Sequence, residues 1–294
     1  MRVRHLLTHT AGFLDGPEEH YDYPHFGCPE MQKARPELSF SCMDRVYRDY
    51  TRARVRNQPG ATYVYSDLSM IGVMFLVGSV ARARGHVASA DLRADCRAAA
   101  VAAAPGWQQC YYEAFVRRHV FARLGLNRTG YLLPRAAWPA CAPVSRTRQG
   151  EVDDGNAFAM GGISGHAGVF ATARDVARLT QRWLAPTPDF LAPATVAAFT
   201  APANPLLSSR ALGWNTNTDR APDRGWGHSC GTLAPQTFMH VGFSGTLVCA
   251  DPTRRLGVVL FTNRVYPDCS SAHMREYRRN FTTAVQTIHD RIHS

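Results

Sequence analysis

Lysine is nearly absent from this chain: among its 33 lysine and arginine residues, Lys33 is the single lysine. The formal net charge of +10 would ordinarily suggest nucleic acid as a partner. The arginines, however, are scattered as pairs such as Arg117–Arg118, and no stretch alternates aromatic and basic residues. We therefore expect no nucleic-acid partner. A basic nucleic-acid module remains a third hypothesis, which predicts steeply salt-dependent retention on DNA.

Long hydrophobic runs and closely spaced cysteines are also missing. No run reaches the length of about 18 apolar residues that a membrane span requires. The eight cysteines include no Cys-x-x-Cys pair, which argues against a zinc ribbon or a thioredoxin-like site. Their even number permits disulfides, but free buried thiols are the expectation for a chain of this size. The sequence predicts neither a cofactor nor a metal site. Its first residues are unlike a signal peptide, and the localisation stays unknown because any targeting segment is expected to lie upstream of Met1.

The 294 residues, of which 45% are hydrophobic, predict one globular domain over 1–294. Apolar spacing predicts a helical region over about 1–200, and residues 86–106, rich in Ala and Arg, predict a surface insertion. Four helices are predicted, over 42–54, 68–85, 107–124 and 172–184. Ser66 or Asp67 is expected to cap the second helix, and Thr172 the fourth.

The C-terminal part, about 201–294, has a different pattern. Short β-prone runs occur at 237–241, 246–250 and 256–262, separated by glycine and Asp-Pro turns, and a helix is predicted over 271–289. Because the turns are too short for a crossover connection, neighbouring strands must pair antiparallel. The fold class is therefore predicted to be α+β, with an antiparallel sheet flanked by a helical region.

Four segments resemble, in the same order, blocks of one enzyme family. They are 3–12 (VRHLLTHTAG), 59–67 (PGATYVYSD), 154–172 (DGNAFAMGGISGHAGVFAT) and 240–264 (HVGFSGTLVCADPTRRLGVVLFTNR). The family is that of penicillin-binding proteins and class C β-lactamases, and the third block resembles its branch of D-alanyl-D-alanine carboxypeptidases and esterases. The resemblance implies a β-lactamase/transpeptidase-like fold and a serine hydrolase that acts through an acyl-enzyme.

The resemblance also implies roles for individual residues. Tyr65 matches the tyrosine that serves as a base, which requires nearby cations because a free phenol has a pKa of about 10. Asp67 stands where an asparagine would contact the substrate amide. An ionised aspartate accepts hydrogen bonds but cannot donate them, so the substrate preference is expected to shift towards esters or to be lost.

The second half of the implied site lies in the last block. His240 matches the family's lysine or histidine near the tyrosine, and Gly242 would let the substrate backbone approach the strand edge. The N–H of Phe243 would supply one half of an oxyanion hole. Tyr65 and His240 are accordingly expected to face each other across one cleft.

Other polar residues of the four blocks are ambiguous. Asn156 either contacts the substrate or binds a backbone carbonyl within a loop. His166 either lines the cleft or stabilises a tight glycine turn, and we favour the structural role. His9 and Thr10 are expected to pack behind the reactive centre.

One element of the family pattern is absent. The nucleophile belongs to a Ser-x-x-Lys motif, and the only lysine, Lys33, is preceded three residues earlier by Glu30. Since the family places this motif before the first block, we expect an N-terminally truncated chain that lacks the first strands and the Ser-x-x-Lys helix, because of a misassigned start or a gene remnant. Completed by such a segment, it would take a small-molecule amide or ester substrate. The alternative is a non-catalytic pseudoenzyme that keeps the cleft for binding or assembly.

Overall fold

The structure, a computed structural model, describes residues 1–13, 28, 39–146, 148–218, 228–267 and 273–293. The chain divides into two compact units. Unit 1 comprises Met1–Cys141 and Arg148–Ala171, and unit 2 comprises Ala142–Thr147 and Thr172–Ser294. Among the described residues, no helix combines the length and the apolar character that crossing a membrane would need.

Unit 1 is helical, as the sequence predicts. Its α-helices are α1 (Val3–Leu7), α2 (Ser39–Arg52), α3 (Asp67–Ala83), α4 (Ala94–Val101), α5 (Gln108–Val116) and α6 (Gly155–Ala159). A π-helical turn, Arg117–Ala122, continues α5, and short 3₁₀ segments occur at Ser89–Asp91 and Arg135–Ala140. The predicted loops over 14–38 lie outside the described residues, apart from Cys28.

Helix α3 is the centre of unit 1. Its apolar sequence buries residues along its whole length, including Ile71 and Met74, which are fully buried beside Met43 of α2. Gly78 faces α5 so closely that a Cβ there would lie 2.0 Å from the Gln108 carbonyl oxygen. The absence of a side chain at this position is therefore what allows α3 and α5 to approach each other.

Residues 86–106 are more ordered than their sequence suggests. They form helix α4, and Leu92, Cys96 and Ala100 pack in a small buried cluster together with Tyr111 of α5. Alanine-rich segments lack the strong periodic contrast from which a helix is usually recognised, although alanine itself favours helix.

The expectation of free thiols is wrong. Disulfides join Cys28 to Cys42, Cys96 to Cys110, and Cys230 to Cys249. Cys141 is a free thiol in the part of the chain that the structure describes, and Cys269 lies outside it. The error arose because pairing depends on which Cα atoms approach within about 7 Å, and the sequence spacing of these cysteines does not determine this.

Unit 2 contains the predicted antiparallel sheet. Strands β1 (Asn215–Thr216), β2 (Phe238–Val241), β3 (Leu247–Asp251) and β4 (Leu256–Leu260) follow one another in the order β1-β2-β3-β4. The register places His240 opposite Val248 and Met239 opposite Cys249. The α+β fold and the antiparallel pairing are thus confirmed. Strand β1 was missed because two residues are too few to show an alternation of apolar and polar side chains.

Three helices complete unit 2: α7 (Ala173–Leu184), α8 (Pro193–Thr200) and α9 (Met274–His293). As predicted, the side chain of Thr172 caps α7 by accepting a hydrogen bond from the Asp175 N–H. Trp183 of α7 contacts Phe238 of β2, and these rings anchor the helix on the sheet. The first residues of the predicted C-terminal helix, before position 273, lie outside the described residues.

Candidate active site

Tyr65 stands directly before α3 and is 45% exposed. The imidazole of His9 stacks on its ring, with centroids 4.4 Å apart and planes at 26°. His9 itself is buried, adopts a positive φ of 53°, and accepts a hydrogen bond at Nδ1 from the Ser66 N–H at 3.2 Å. The buried imidazole therefore fixes one face of Tyr65, while the phenol remains accessible to a reactant.

A second group of side chains, the carboxylate–imidazole cluster, consists of Asp67, Asp154 and His166. The Nε2 atom of His166 lies 2.9 Å from Oδ1 of Asp154 and 3.9 Å from Oδ2 of Asp67. The imidazole is 4% exposed, whereas the carboxylates of Asp67 and Asp154 are 31% and 36% exposed. Asp67 thus lies against a histidine and a second acid, in the position where the family resemblance places a substrate contact.

Ser164 holds the other side of the same imidazole. Its Oγ lies 2.8 Å from Nδ1 of His166, so serine, histidine and Asp154 form a continuous hydrogen-bonded chain. This order resembles a catalytic triad. Ser164 is completely buried, however, so no substrate carbonyl can reach its Oγ. The chain orients His166 and does not supply a nucleophile.

Asp154 organises the start of α6. Its Oδ1 accepts a 2.7 Å hydrogen bond from the Ala157 N–H, which caps the helix. Burial by itself would raise the pKa of Asp154, but the hydrogen bond and charge of His166, together with the backbone N–H groups of Ala157 and Asn156, outweigh burial and lower it. Asn156 is buried within α6, and its backbone N–H bonds to Asp154.

In unit 2, His240 lies on an exposed position of β2. Its Nδ1–H donates to the Val241 carbonyl at 3.0 Å, which leaves Nε2 as the lone-pair nitrogen. Desolvation, and secondly the charge of Arg210, lowers the pKa of His240 to about 4. The imidazole is therefore neutral at pH 7 and accepts a proton poorly.

The turn between β2 and β3 contains Gly242 and Phe243, and side chains from outside the turn donate hydrogen bonds to its carbonyl groups. Arg278 of α9 is buried and donates to the Gly242 carbonyl at 2.7 Å, and Thr262 donates to the Gly245 carbonyl at 2.8 Å. A Cβ at Gly242 would lie 2.3 Å from Oγ1 of Thr246, so packing within the turn requires this glycine. Desolvation, and then the nearby charge of Arg264, lowers the pKa of Arg278 to about 10, so the guanidinium stays charged at neutral pH.

Phe243 projects from this turn. The residue is 66% exposed, and the guanidinium of Arg264 lies 4.6 Å from the centre of its ring. This cation–π contact fixes the side chain of the residue whose N–H was predicted to bind an oxyanion.

A separate cavity of unit 2, about 330 Å³, lies between α7 and β4. Its lining residues are Ala177, Gln181, Leu184, Ala185, Arg255 and Gly257. None of these lining residues is among the predicted site residues.

The structure distributes the six predicted site residues between the two units. Tyr65, Asp67 and Asn156 belong to unit 1, and the others (His240, Gly242 and Phe243) belong to unit 2. The close approach of Tyr65 and His240 stays a prediction. Sequence reasoning missed Asp154 and Ser164 as partners of His166. Their presence within one glycine-rich block was the available signal, but only the folded loop turns these side chains towards one another.

Comparison with known proteins adds independent information. The beta-lactamase family model matches residues 1–282. A curated relative named putative D-alanyl-D-alanine carboxypeptidase, from Salmonella agona (strain SL483), is 26% identical over 291 residues, which covers 90% of this chain and 57% of the relative. The chain therefore spans little more than half the length of the curated relatives that it matches.

Solved structures show the same fold at low sequence identity. A beta-lactamase from Mycobacterium bovis is 18% identical, with a TM-score of 0.57 over 98% of this chain and 74% of the other. EstCE1, described as a hydrolase with promiscuous acyltransferase activity, is 19% identical, with a TM-score of 0.60 over 96% of this chain and 71% of the other.

Proposed function

Because the chain belongs to the beta-lactamase family, we propose that it carries the tyrosine and histidine side of an acyl-transfer site for small-molecule amides or esters. The single observation that carries the proposal is Tyr65: an accessible phenol in the matching block, held by the stacked, buried ring of His9. A reactive group must be both accessible and fixed in orientation, and Tyr65 meets both requirements.

The proposed chemistry assigns Tyr65 as the base that takes a proton from a nucleophilic hydroxyl. A tyrosinate is favoured where cations are close and disfavoured where burial removes water. His240 is proposed as the neighbouring polar group; since its pKa is lowered, it acts as a neutral hydrogen-bonding imidazole and not as a fixed positive charge. The Phe243 N–H is proposed as an oxyanion donor on the turn that Arg278 supports.

The contacts of Asp67 bear on the substrate. Its carboxylate points towards His166 and lies beside Asp154, so it presents acceptor oxygens only. An asparagine at this position would donate a hydrogen bond to the carbonyl of an amide substrate, and Asp67 cannot. We therefore propose that amides lose this contact and that the substrate preference shifts towards esters among the carboxypeptidase, β-lactamase and esterase classes.

The 294 residues contain no Ser-x-x-Lys motif, and we propose that they form no acyl-enzyme on their own. The second candidate function follows from the same observation: a pseudoenzyme that retains the cleft for binding or assembly. The two differ in the DNA that precedes the Met1 codon. An in-frame Ser-x-x-Lys there favours the hydrolase, and a closed reading frame combined with stable expression of the chain favours the pseudoenzyme.

The experiment is to express the longer reading frame, where one exists, and to measure hydrolysis of p-nitrophenyl esters and of nitrocefin. Y65F should lower kcat by about 10²–10⁴-fold, as expected for loss of a general base. Y63F, which changes the adjacent tyrosine of the same segment, is the matched control and should retain activity. Equal activities of Y65F and the unmodified protein would refute the role of Tyr65.

A further inference from the structure

The carboxylate–imidazole cluster brings together three potential metal ligands. One oxygen of Asp67, one oxygen of Asp154 and Nε2 of His166 all lie within 4.8 Å of one another. Ligands of a tetrahedral zinc ion with bonds of about 2.1 Å are separated by roughly 3.4 Å. The 2.9 Å and 3.9 Å distances from Nε2 to the two carboxylates bracket this separation. Small side-chain rotations would therefore suffice to place all three atoms around one ion.

The hydrogen bonds of Ser164 orient the imidazole for such a role. The Oγ atom of Ser164 lies 2.8 Å from Nδ1 of His166 and 3.6 Å from the sulfur of Met160, so the serine is itself held in place. The imidazole is therefore held on its Nδ1 side, while Nε2 faces Asp154 at 2.9 Å and Asp67 at 3.9 Å.

The Nε2 atom can either carry a proton or bind a metal ion. A proton on Nε2 makes a hydrogen bond to Asp154, but at 3.9 Å it does not reach Asp67. A metal ion engages all three side chains at once. We propose that Asp67, Asp154 and His166 form a divalent-metal site, with Ser164 as the residue that orients the histidine from behind.

The ligand types favour zinc. Imidazole nitrogen is a preferred ligand of Zn²⁺ and other late first-row ions, while sites for Mg²⁺ and Ca²⁺ use oxygen ligands. One imidazole with two carboxylates leaves a fourth position for water or for a substrate oxygen. The exposure of both carboxylates, 31% and 36%, keeps this side of the cluster open to solvent.

This site departs from the expectation, drawn from the sequence, that the chain holds no metal. Asp67 stands two residues after Tyr65, so an ion here would lie close in sequence to the proposed base. The metal proposal does not depend on hydrolase activity, because binding is measured on the chain itself.

The test uses the untagged 1–294 chain, stripped with a chelator and dialysed. Isothermal titration calorimetry with ZnCl₂ should show one site per chain, and titration with MgCl₂ should show none of comparable affinity. Cobalt, added as a spectroscopic substitute, should give visible d–d bands typical of nitrogen and oxygen ligands. Retention of zinc after gel filtration gives an independent stoichiometry by elemental analysis.

Variants locate the site. D67N and H166Q should each abolish the zinc site, and S164A should weaken zinc binding by about 10–100-fold, since it removes only the outer partner of the histidine. The control is H289Q, which alters another histidine–aspartate pair, His289 with Asp290 at 3.1 Å, and should bind zinc like the unmodified chain. D67N changes a partly exposed side chain and preserves its shape, so its folding can be checked by circular dichroism.

The proposal is overturned if the unmodified chain binds no zinc, or if D67N and H166Q, both folded, bind it as the unmodified chain does. The latter result would assign the zinc to other histidines or to a free thiol. Loss of binding in H289Q alone would also contradict the assignment.

Discussion

At the scale of single residues, the family blocks predicted Tyr65 and His240 as site residues, but not the side chains that contact them. The stacking of His9 on Tyr65 joins two segments 56 positions apart, as their residue numbers show, and no local pattern records it. The backbone N–H of Asn156 bonds to Asp154, which the sequence did not predict, and the role of its side chain stays a prediction. Motifs therefore predict which residues matter, whereas their hydrogen-bond partners require the fold.

His240 provides the prediction at this scale. Desolvation and the charge of Arg210 disfavour its protonated form, so its pKa should lie below the ordinary value of about 6.5. The folded chain then binds fewer protons than the unfolded chain, and the contribution of His240 to stability decreases as the pH falls below about 6.5. Two-dimensional NMR of the imidazole carbons, assigned with H240Q, measures the titration. A midpoint at or above 6.5 would contradict the environment described for this residue.

At the scale of elements, the sequence predicted most helices and strands but few of the contacts between them. The Thr172 cap and the turns before β3 and β4 have local signals, and these boundaries are confirmed. Helix α4 and the two-residue β1 were missed because alanine-rich and very short segments carry little periodicity. The contacts that hold elements together depend on single glycines and arginines.

The contact between α3 and α5 gives one such prediction. In an exposed helix, replacing glycine by alanine stabilises by about 0.5–1 kcal/mol. In G78A the new Cβ would meet the Gln108 carbonyl at 2.0 Å, and overpacking against backbone costs about 1–3 kcal/mol. The cost of the clash should exceed the gain from replacing glycine, so G78A should have a lower free energy of unfolding, measured in urea. V80A, on an exposed position of the same helix, serves as the control; a stabilised G78A would disprove this packing.

A second prediction concerns the turn between β3 and β4. Arg254 bonds the fully buried carboxylate of Asp251 at 3.0 Å and Asp290 of α9 at 2.9 Å. R254M removes both charged hydrogen bonds; the bond to the buried Asp251 typically contributes about 1.5–3 kcal/mol, whereas the exposed pair with Asp290 is screened by solvent. Asp251 keeps backbone donors, so we expect a loss of about 1–3 kcal/mol in the free energy of unfolding.

Thermal unfolding followed by circular dichroism measures this loss. The neighbouring exposed R255M should stay within about 0.5 kcal/mol of the unmodified chain. If R254M and R255M behave alike, the link between the β3–β4 turn and α9 contributes nothing measurable.

At the scale of the whole molecule, the family assignment and the α+β fold were accessible from four ordered blocks. The interpretation of 1–294 as one domain remains a prediction; each of the two compact units has its own buried core. The disulfide pairing could not be predicted from the sequence, because it depends on which cysteines the fold brings together. Three disulfides are typical of proteins that fold in an oxidising compartment, and they constrain both units.

The disulfides lead to a count of thiols. Six of the eight cysteines are paired in the structure, which leaves at most two that can react. Protein purified without reductant and denatured in guanidinium should therefore show no more than two thiols with Ellman's reagent, and eight after reduction. Mass spectrometry of non-reduced peptides should identify the three pairs. Eight reactive thiols before reduction would contradict the framework.

We propose, above all, that this polypeptide carries part of an acyl-transfer site but no nucleophile of its own. The most direct measurement is to incubate the purified 1–294 chain with a fluorescent penicillin, denature it, and look for a covalently labelled band. We predict no band, because none of the serines nearest the motifs, Ser69, Ser164 and Ser244, precedes a lysine by three residues. Ser69 and Ser164 are also buried, and Ser244 is partly buried. A labelled band that disappears in S69A, S164A or S244A would contradict the account and reveal a nucleophile that neither the sequence nor the fold indicates.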